Sequence, residues 1–336
     1  MAEPFKANPL SPLDVTKKRY LSFHTIIPMM PSTALLKMPK VLPLAQSESQ
    51  SLEKCRLLWR RQLLLIRSAS SAPAHLIPAL RNPQWFESCL KQSPIKLVRL
   101  EMNLGEEALK SWANACATAH KRVFIHLPAA TGLPKARSPI AWWFKRIADW
   151  LTAASLTVCL SPLLLLLAAL VHFDSPGPIF FKQWRVGRRG QLFQILKFRT
   201  MRQDAEQLHH QLMEGQKGLH KLEDDPRVTA LGRWLRKYSL DELPQIFNVL
   251  RGEMSLVGPR PLALYDAIRI GSGGRKRLNA LPGMTGFWQV KMRSNQCDLE
   301  VVSQHDLDYL KTWSLFKDLQ LVLLTFPKVL SGFGAF

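Results

Sequence analysis

The pattern of apolar and polar positions in the first part of the chain predicts a small α/β domain over residues 51–130. Ile95–Met102 predicts a strand, and Val123–Leu127 predicts another. Between them, Glu106–His120 predicts a helix because its apolar residues recur at helical spacing. A strand, a helix and a strand in this order form a β-α-β unit. The turn before the helix lacks the glycines that bind a dinucleotide phosphate, so such a site is not expected and the role of the domain stays open.

The longest apolar stretch, Trp150–Phe173, contains no Asp, Glu, Lys or Arg and is long enough for a membrane helix. Ser161 and Pro162 interrupt it, because proline removes a helix hydrogen bond and clashes with the preceding turn. Basic residues stand on both sides of it, which the positive-inside rule does not allow for a simple crossing. The pattern favours a re-entrant helix over residues 145–173, and a proline-kinked span is the alternative. The flanking basic residues are Lys145, Arg146, Lys182, Arg185, Arg188 and Arg189.

The remaining stretches complete the predicted domain organisation. Residues 1–50 mix Pro, Ser and Lys with short apolar runs, which predicts a flexible arm. A segment rich in Pro, Gly and basic residues predicts a linker over residues 131–144. Residues 174–336 form a second, denser unit that carries most of the candidate chemistry.

Composition and charge narrow the class of partner. The chain has 336 residues, with 46 Lys and Arg against 25 Asp and Glu, a formal net charge of +21. This excess favours a polyanionic partner, namely nucleic acid, anionic lipid headgroups or phosphorylated substrates. Hydrophobic residues make up 47% of the chain, which excludes wholesale disorder. The five cysteines lack C-x-x-C spacing, so a zinc ribbon or a disulfide framework is not expected.

One basic run, Lys182–Arg202, contains no acidic residue and is interleaved with aromatic residues. Basic residues alternating with stacking rings are typical of a nucleic-acid surface. They are equally typical of a surface that faces lipid phosphates, where each juxtamembrane Lys or Arg contributes about 1 kcal/mol. Because the run follows the apolar stretch directly, the lipid interpretation is favoured.

Ser239-Leu240-Asp241-Glu242 matches a capping box, which predicts Ser239 as the N-cap of a helix of about a dozen residues. Asp241 and Glu242 then lie in the first turn, where a carboxylate has a lowered pKa and stays ionised. Their structural interpretation is that they complement the helix dipole. Their functional interpretation is a phosphoryl-transfer site, because Arg236 precedes them and Arg260 is held between two prolines. Adjacent carboxylates also share a divalent cation with phosphate oxygens.

From about Lys145 to its end, the chain resembles the bacterial sugar transferase family, the monotopic polyprenyl-phosphate phosphoglycosyl transferases that initiate exopolysaccharides. A single S-x-D-E motif would be weak evidence, whereas a series of motifs in one order is specific. The series includes Lys145-Arg146-x-x-Asp149, Ser161-Pro162, Lys197-Phe198-Arg199-Thr200-Met201, Asp225-Pro226-Arg227, Ser239–Gln245 and Gly258-Pro259-Arg260-Pro261.

The resemblance implies a reaction in which a UDP-sugar gives its sugar-1-phosphate to a membrane polyprenyl phosphate and releases UMP. Asp241 would be the nucleophile that forms a phospho-aspartate, and Glu242 would assist it and hold Mg²⁺ together with Asp241. The residues expected to bind substrate phosphate are Arg236, Arg260, Lys197 and Arg199. The sugar, the polysaccharide pathway and the oligomeric state are left open.

The resemblance also implies a fold class and a location. The expected fold is an α/β N-terminal domain followed by a mainly α monotopic membrane catalytic domain, with the re-entrant helix–break–helix and interfacial amphipathic helices. The expected location is the cytoplasmic face of the inner (plasma) membrane, with membrane lipid and no nucleic acid among the partners. The rival function is a membrane-associated basic nucleic-acid-binding protein without catalysis.

Overall fold

The computed structural model of the protein describes residues 55–68, 83–128, 133–202, 225–287, 290 and 299–331. The predicted flexible arm, residues 1–50, lies outside the described residues.

The N-terminal domain is a four-stranded sheet with two helices. The strand order is β1-β2-β3-β4; β1 pairs antiparallel with β2, and the other two pairs are parallel. Helix α2 connects β3 to the parallel strand β4, so the predicted β-α-β unit is confirmed. The elements are β1 (Cys55–Arg60), β2 (Leu63–Ser68), α1 (Pro83–Gln92), β3 (Leu97–Leu100), α2 (Glu106–Thr118) and β4 (Arg122–Ile125).

Helix α2 buries the apolar face that its sequence spacing predicted. Leu109, Trp112, Ala113 and Cys116 recur at intervals of three and four residues and are all buried. The Trp112 ring also meets Phe86 of α1 edge to face, with the ring centroids 4.6 Å apart. These contacts fix both helices on the sheet.

The long apolar segment folds as two helices that meet at the predicted break. Helix α4 (Pro139–Cys159) and helix α5 (Ser161–Asp174) are bent by 64° with respect to each other. No single described helix is long and apolar enough to cross a membrane. The two helices of this bent pair together have the length and the apolar composition of a membrane segment. Ser161 Oγ donates to the carbonyl of Val158 at 2.7 Å, which satisfies a carbonyl at the end of α4.

Most of the predicted linker over residues 131–144 is helical instead. Residues 134–137 form the short helix α3 (Pro134–Arg137), and α4 begins at Pro139 rather than at Lys145. Proline is accommodated at the first positions of a helix because the N–H it lacks has no helical partner there. The two prolines therefore start helices here, although their clustering indicated a linker.

The rest of the described chain is mostly helical, as predicted, and is built around short strands. Strand β5 lies between β6 and β8, all antiparallel, while β7 pairs parallel with β9. The strands are β5 (Phe180–Val186), β6 (Leu192–Phe198), β7 (Ser255–Val257), β8 (Leu262–Ala263) and β9 (Gly283–Thr285). The helices are α6 (Ala230–Lys237), α7 (Gln245–Leu250), α8 (Leu264–Arg269), α9 (Leu299–Lys311) and α10 (Leu315–Ser331).

The N-terminal domain and the C-terminal unit share one hydrophobic core. Side chains of the N-terminal sheet and helices pack in the same cluster as Val186, Leu192 and Leu262 of the C-terminal strands. Trp184 Nε1 also donates to Asn114 Oδ1 at 2.7 Å across the junction. The α/β domain is therefore packed against the strands of the C-terminal unit rather than tethered to them.

Gly190, in the turn between β5 and β6, lies against β4 of the N-terminal domain. Its φ of +78° is in the left-handed region that favours glycine. A Cβ at this position would overlap the carbonyl oxygen of Ile125 in β4. The junction therefore requires glycine for both conformation and space.

We expect Gly190→Ala to destabilise the protein more than Gly105→Ala. Gly105 has a similar φ of +84°, but a Cβ there meets nothing within 4 Å, so it reports the backbone strain alone. With ψ at 165°, Gly105 is in a region open essentially only to glycine, where another residue costs about 1–3 kcal/mol. Equal melting temperatures for the two variants would show that the contact with Ile125 contributes nothing to stability.

Candidate active site

The backbone around Asp241 differs from the predicted capping box. Ser239 has a left-handed φ of 53° and makes no side-chain cap bond. Leu240–Glu242 forms a single 3₁₀ turn, and Pro244 separates it from α7. The predicted helix of about a dozen residues is therefore wrong, because a proline without an N–H interrupts the hydrogen-bond series. Side-chain N-caps are found elsewhere: Thr229 Oγ1 accepts from Gly232 N–H at the start of α6, and Ser314 Oγ accepts from Lys317 N–H at the start of α10.

Four of the predicted site residues lie together. Asp241 is only 8% exposed, and the charges of Lys197, Glu242 and Arg236 act on it. Lys197 reaches from β6 and places its Nζ 2.6 Å from Glu242 Oε1. Arg236, at the end of α6, donates from Nε to Thr200 Oγ1 at 2.9 Å. The strand, the helix end and the 3₁₀ turn thus bring two carboxylates and two cations into one group.

Burial raises the pKa of Asp241 to about 6. The positive charges of Lys197 and Arg236 oppose this increase, and the negative charge of Glu242 adds to it. The expected lowering of this pKa is therefore wrong, because desolvation dominates and the residue is not in the first turn of a long helix. At neutral pH the carboxylate is still mostly ionised.

Arg236 lies between two carboxylates, of which sequence reasoning identified only one. Burial lowers its pKa, while the charges of Asp241 and Asp225 raise it. Asp225 is itself paired with Arg227 through two contacts, Nε to Oδ1 at 2.8 Å and Nη2 to Oδ2 at 2.6 Å. These hydrogen bonds lower the pKa of Asp225. The Asp225-Pro226-Arg227 motif showed the residue types but not this bidentate pairing.

Arg199 has different surroundings from the other predicted cations. Its guanidinium donates to the carbonyl of Pro178 at 2.7 Å, to that of Val171 at 3.3 Å and to that of Ser175. These backbone partners fix the end of α5 against β6. Its contact with substrate phosphate stays a prediction, and its contacts in the structure are those of a residue that holds the bent helix pair.

Arg260 stands between two prolines after β7 and is half-buried. Its carbonyl accepts from Arg277 Nη2 at 2.8 Å, and its N–H donates to Asp306. Its side chain is a near neighbour of Arg185 in β5, whose pKa is lowered by burial and then by the charge of Arg260. Sequence reasoning placed Arg185 only in the basic run, because no local pattern links it to a residue 75 positions away.

The carboxylates of the site can hold a magnesium ion only when a substrate supplies further oxygen ligands. Among the described residues, no group of three or more His, Cys, Asp or Glu side chains could hold a metal. Asp241 and Glu242 offer oxygen donors, and Mg²⁺ is commonly held by one or two carboxylates plus substrate phosphates. This donor set fits such an ion once phosphate oxygens complete it.

The comparison with known families decides the class of the protein. The model of the family described as bacterial sugar transferase matches residues 140–332, more than half of the chain. The chain belongs to the bacterial sugar transferase family. The family predicted from the ordered motifs is thus confirmed, and every residue of the group around Asp241 lies within the matched range.

Named relatives are similar to a large part of the chain. The exopolysaccharide production protein ExoY of Sinorhizobium fredii is 40% identical over 66% of this chain and 99% of its own length. The UDP-glucose:undecaprenyl-phosphate glucose-1-phosphate transferase of Caulobacter vibrioides is 45% identical over 57% of this chain and 72% of its own. The galactosyl transferase CpsE of Streptococcus agalactiae is 46% identical over 47% of this chain, but the match spans only 36% of CpsE.

Proposed function

We propose that the protein transfers a hexose-1-phosphate from a UDP-sugar to undecaprenyl phosphate and so initiates exopolysaccharide synthesis. The names of the relatives support this class of reaction. The observation that carries the proposal is the buried Asp241 carboxylate grouped with Lys197, Glu242 and Arg236 inside the region that defines the family.

In the proposed mechanism Asp241 is a nucleophile. One of its carboxylate oxygens forms a bond to the sugar-bearing phosphorus of the donor, while the bond from that phosphorus to the bridging oxygen breaks. UMP leaves with the electron pair of the broken bond. An oxygen of the polyprenyl phosphate then attacks the phospho-aspartate and frees Asp241. Two displacements through a covalent intermediate replace one direct reaction between two bulky anions.

The cations of the site supply the charge neutralisation that phosphoryl transfer requires. The positive charges of Lys197 and Arg236 act on Asp241, so both side chains lie close enough to contact a phosphate that Asp241 attacks. Glu242 holds Lys197 in place through the 2.6 Å ion pair. Mg²⁺, held by Asp241 and Glu242 when bound, supplies further neutralisation of phosphate oxygens.

An assay of purified protein with UDP-glucose and UDP-galactose tests the proposal. With Mg²⁺ and polyprenyl phosphate present, we expect continuous UMP release from one of the two donors and formation of a polyprenyl-diphosphate sugar. Without the acceptor, release should stop after about one equivalent per enzyme. Tight RNA or DNA binding with no UMP release from any UDP-sugar would support the nucleic-acid-binding rival instead.

We also propose that the bent helix pair is re-entrant and that the protein lies on the cytoplasmic face of the plasma membrane. Support comes from the 64° bend, the basic flanks and a set of exposed apolar side chains on α4, α5 and α10. Exposed apolar groups on an amphipathic helix such as α10 fit the plane of a membrane interface. The most exposed are Ile140, Trp143, Leu151, Val158, Leu165, Phe173, Phe316 and Leu323.

Cysteine labelling in intact cells should show both ends of the helix pair protected. The reporter sites are Lys135→Cys and Arg188→Cys, both exposed and polar, in a background whose five natural cysteines are replaced. A membrane-impermeant thiol reagent should label neither site until the inner membrane is permeabilised. Labelling of one site alone in intact cells would establish a crossing helix and exclude the re-entrant arrangement.

A further inference from the structure

Arg185 lies close to Arg260, because it contacts the carbonyl of Pro261, the next residue along the chain. Arg185 is half-buried on β5, and its Nη1 donates to the carbonyl of Pro261 at 3.3 Å. Its Nη2 donates to Gln183 Oε1 at 2.6 Å. Its Nε is buried and has no hydrogen-bond partner among the described residues. A buried cationic donor without a partner is costly, which points to a ligand that supplies the missing acceptor.

The backbone that carries Arg260 is clamped from both sides. Arg277 donates to its carbonyl at 2.8 Å, and Asp306 accepts from its N–H. Arg277 and Asp306 also form an ion pair with side chains 0% and 1% exposed. The flanking prolines restrict φ on either side. Arg260 is thus held beside Arg185 despite the repulsion between the two positive charges.

The position of this arginine pair relative to the reacting carboxylate indicates which phosphate it meets. Asp241 has Lys197 and Arg236 as its cationic neighbours. Arg185 is not among them, and its charged neighbours are Arg260, Tyr265, Asp266 and, most weakly, Glu242. In the β5–β6 ladder Lys197 faces Phe181, four residues along β5 from Arg185, so the two cations lie at different points along the same sheet. The arginine pair therefore lies beside the reacting phosphorus rather than at it, where the second phosphate of a diphosphate would lie.

We propose that Arg185 and Arg260 bind the phosphate that departs as part of UMP, while Lys197 and Arg236 serve the phosphate attacked by Asp241. This assignment rests on the proposed function and adds Arg185 to the substrate-binding residues. Guanidinium groups bind phosphate through paired N–H donors and are not deprotonated in proteins. The pair stabilises the negative charge that develops on the leaving oxygen as the bridging bond breaks.

Calorimetric binding of UMP to the full-length protein in detergent tests the assignment without requiring turnover. We expect Arg185→Gln to weaken UMP binding at least about tenfold, the scale of a lost charge-assisted hydrogen bond. Arg185→Lys keeps the charge but not the planar fork, so its affinity for UMP should fall between those of the wild type and Arg185→Gln. Arg188→Gln, an exposed arginine three residues along the chain, is the matched control and should bind UMP as the wild type does.

The kinetic measurements separate the sources of the phosphate. In Arg185→Gln the KM for the UDP-sugar should rise and inhibition by UMP should weaken, while the KM for polyprenyl phosphate stays unchanged. A rise in the KM for polyprenyl phosphate with unchanged UMP binding would assign the pair to the lipid acceptor and overturn the proposal. Where Arg185→Gln lowers the melting temperature, Arg260→Gln provides the second measurement, and unchanged UMP affinity in it also overturns the proposal.

Failure of this assignment differs from failure of the proposed function. Wild-type protein that releases UMP from a UDP-sugar, with normal UMP binding in Arg185→Gln, refutes the arginine site alone. Protein that binds UMP through Arg185 but never releases it from a UDP-sugar refutes the transferase function and retains the nucleotide site. Wild-type protein that does not bind UMP refutes the arginine site directly.

Discussion

Asp241→Asn should abolish turnover and the phospho-enzyme together, and should make the protein more stable at neutral pH. An amide cannot form the acyl phosphate, so neither product appears. The gain in stability follows from the raised pKa of about 6 for the buried carboxyl, against a value near 3.9 in the unfolded chain. Ionising Asp241 in the folded state is unfavourable, and asparagine removes that cost.

The sign of the pH dependence follows from proton binding. Between about pH 4 and 6, folded Asp241 keeps its proton while the unfolded chain has lost it, so stability falls as pH rises through this window. Asp241→Asn lacks this contribution. Its melting temperature, measured in EDTA, should match that of the wild type near pH 4 and exceed it above pH 6.

Asp308→Asn is the control for the first experiment. Asp308 is an exposed acid on α9 with a side chain 53% exposed and a Lys311 partner at 3.2 Å. Exposed pairs of this kind contribute little, so both activity and melting temperature should stay near wild type. An Asp241→Asn variant that still releases UMP would end the assignment of Asp241 as nucleophile, whatever its stability.

Lys197→Met should lower kcat/KM at pH 7 by at least about tenfold and move its pH profile. Lys197 is the largest of the influences that lower the pKa of Asp241. Without it, the carboxyl needs a higher pH to ionise, so the acidic limb of the profile should shift upward from about 6. Activity should then recover in part at higher pH, where Asp241 is again ionised.

Lys182→Met controls for the loss of a positive charge on the same sheet. Lys182 is exposed on β5, the neighbour of the strand that carries Lys197. The pH profile of kcat/KM for Lys182→Met should overlay that of the wild type at constant Mg²⁺ and ionic strength. An acidic limb that stays in place in Lys197→Met would show that Lys197 does not stabilise the ionised nucleophile.

Local patterns predicted the parts of the fold that local forces determine. The spacing of Leu109, Trp112 and Cys116 predicted α2, because a helix with one apolar face needs only that periodicity. The break at Ser161 and Pro162 was predicted for the same reason, since proline acts on its own turn. The β-α-β unit followed from the order of these elements.

The same reasoning failed where competing local signals met or where distant segments determined the outcome. The capping-box pattern at Ser239 was outweighed by Pro244, and Ser239 took a left-handed conformation instead. The raised pKa of Asp241 depends on burial by strands and helices that are distant along the chain. The place of Arg185 beside Arg260 likewise depends on the pairing of β5 with β8.

The hydrophobic core shared by the two parts of the molecule has a consequence for biosynthesis. Residues 55–125 leave the ribosome before the C-terminal unit, but their core is completed by residues as late as Leu278. At 5–20 residues per second, this delay lasts about eight to thirty seconds. Helices α4 and α5 emerge within that interval, so the apolar helix pair is available for insertion before the domain that precedes it can finish folding. Nascent chains arrested before β8 should therefore recruit chaperones through the open face of the N-terminal sheet.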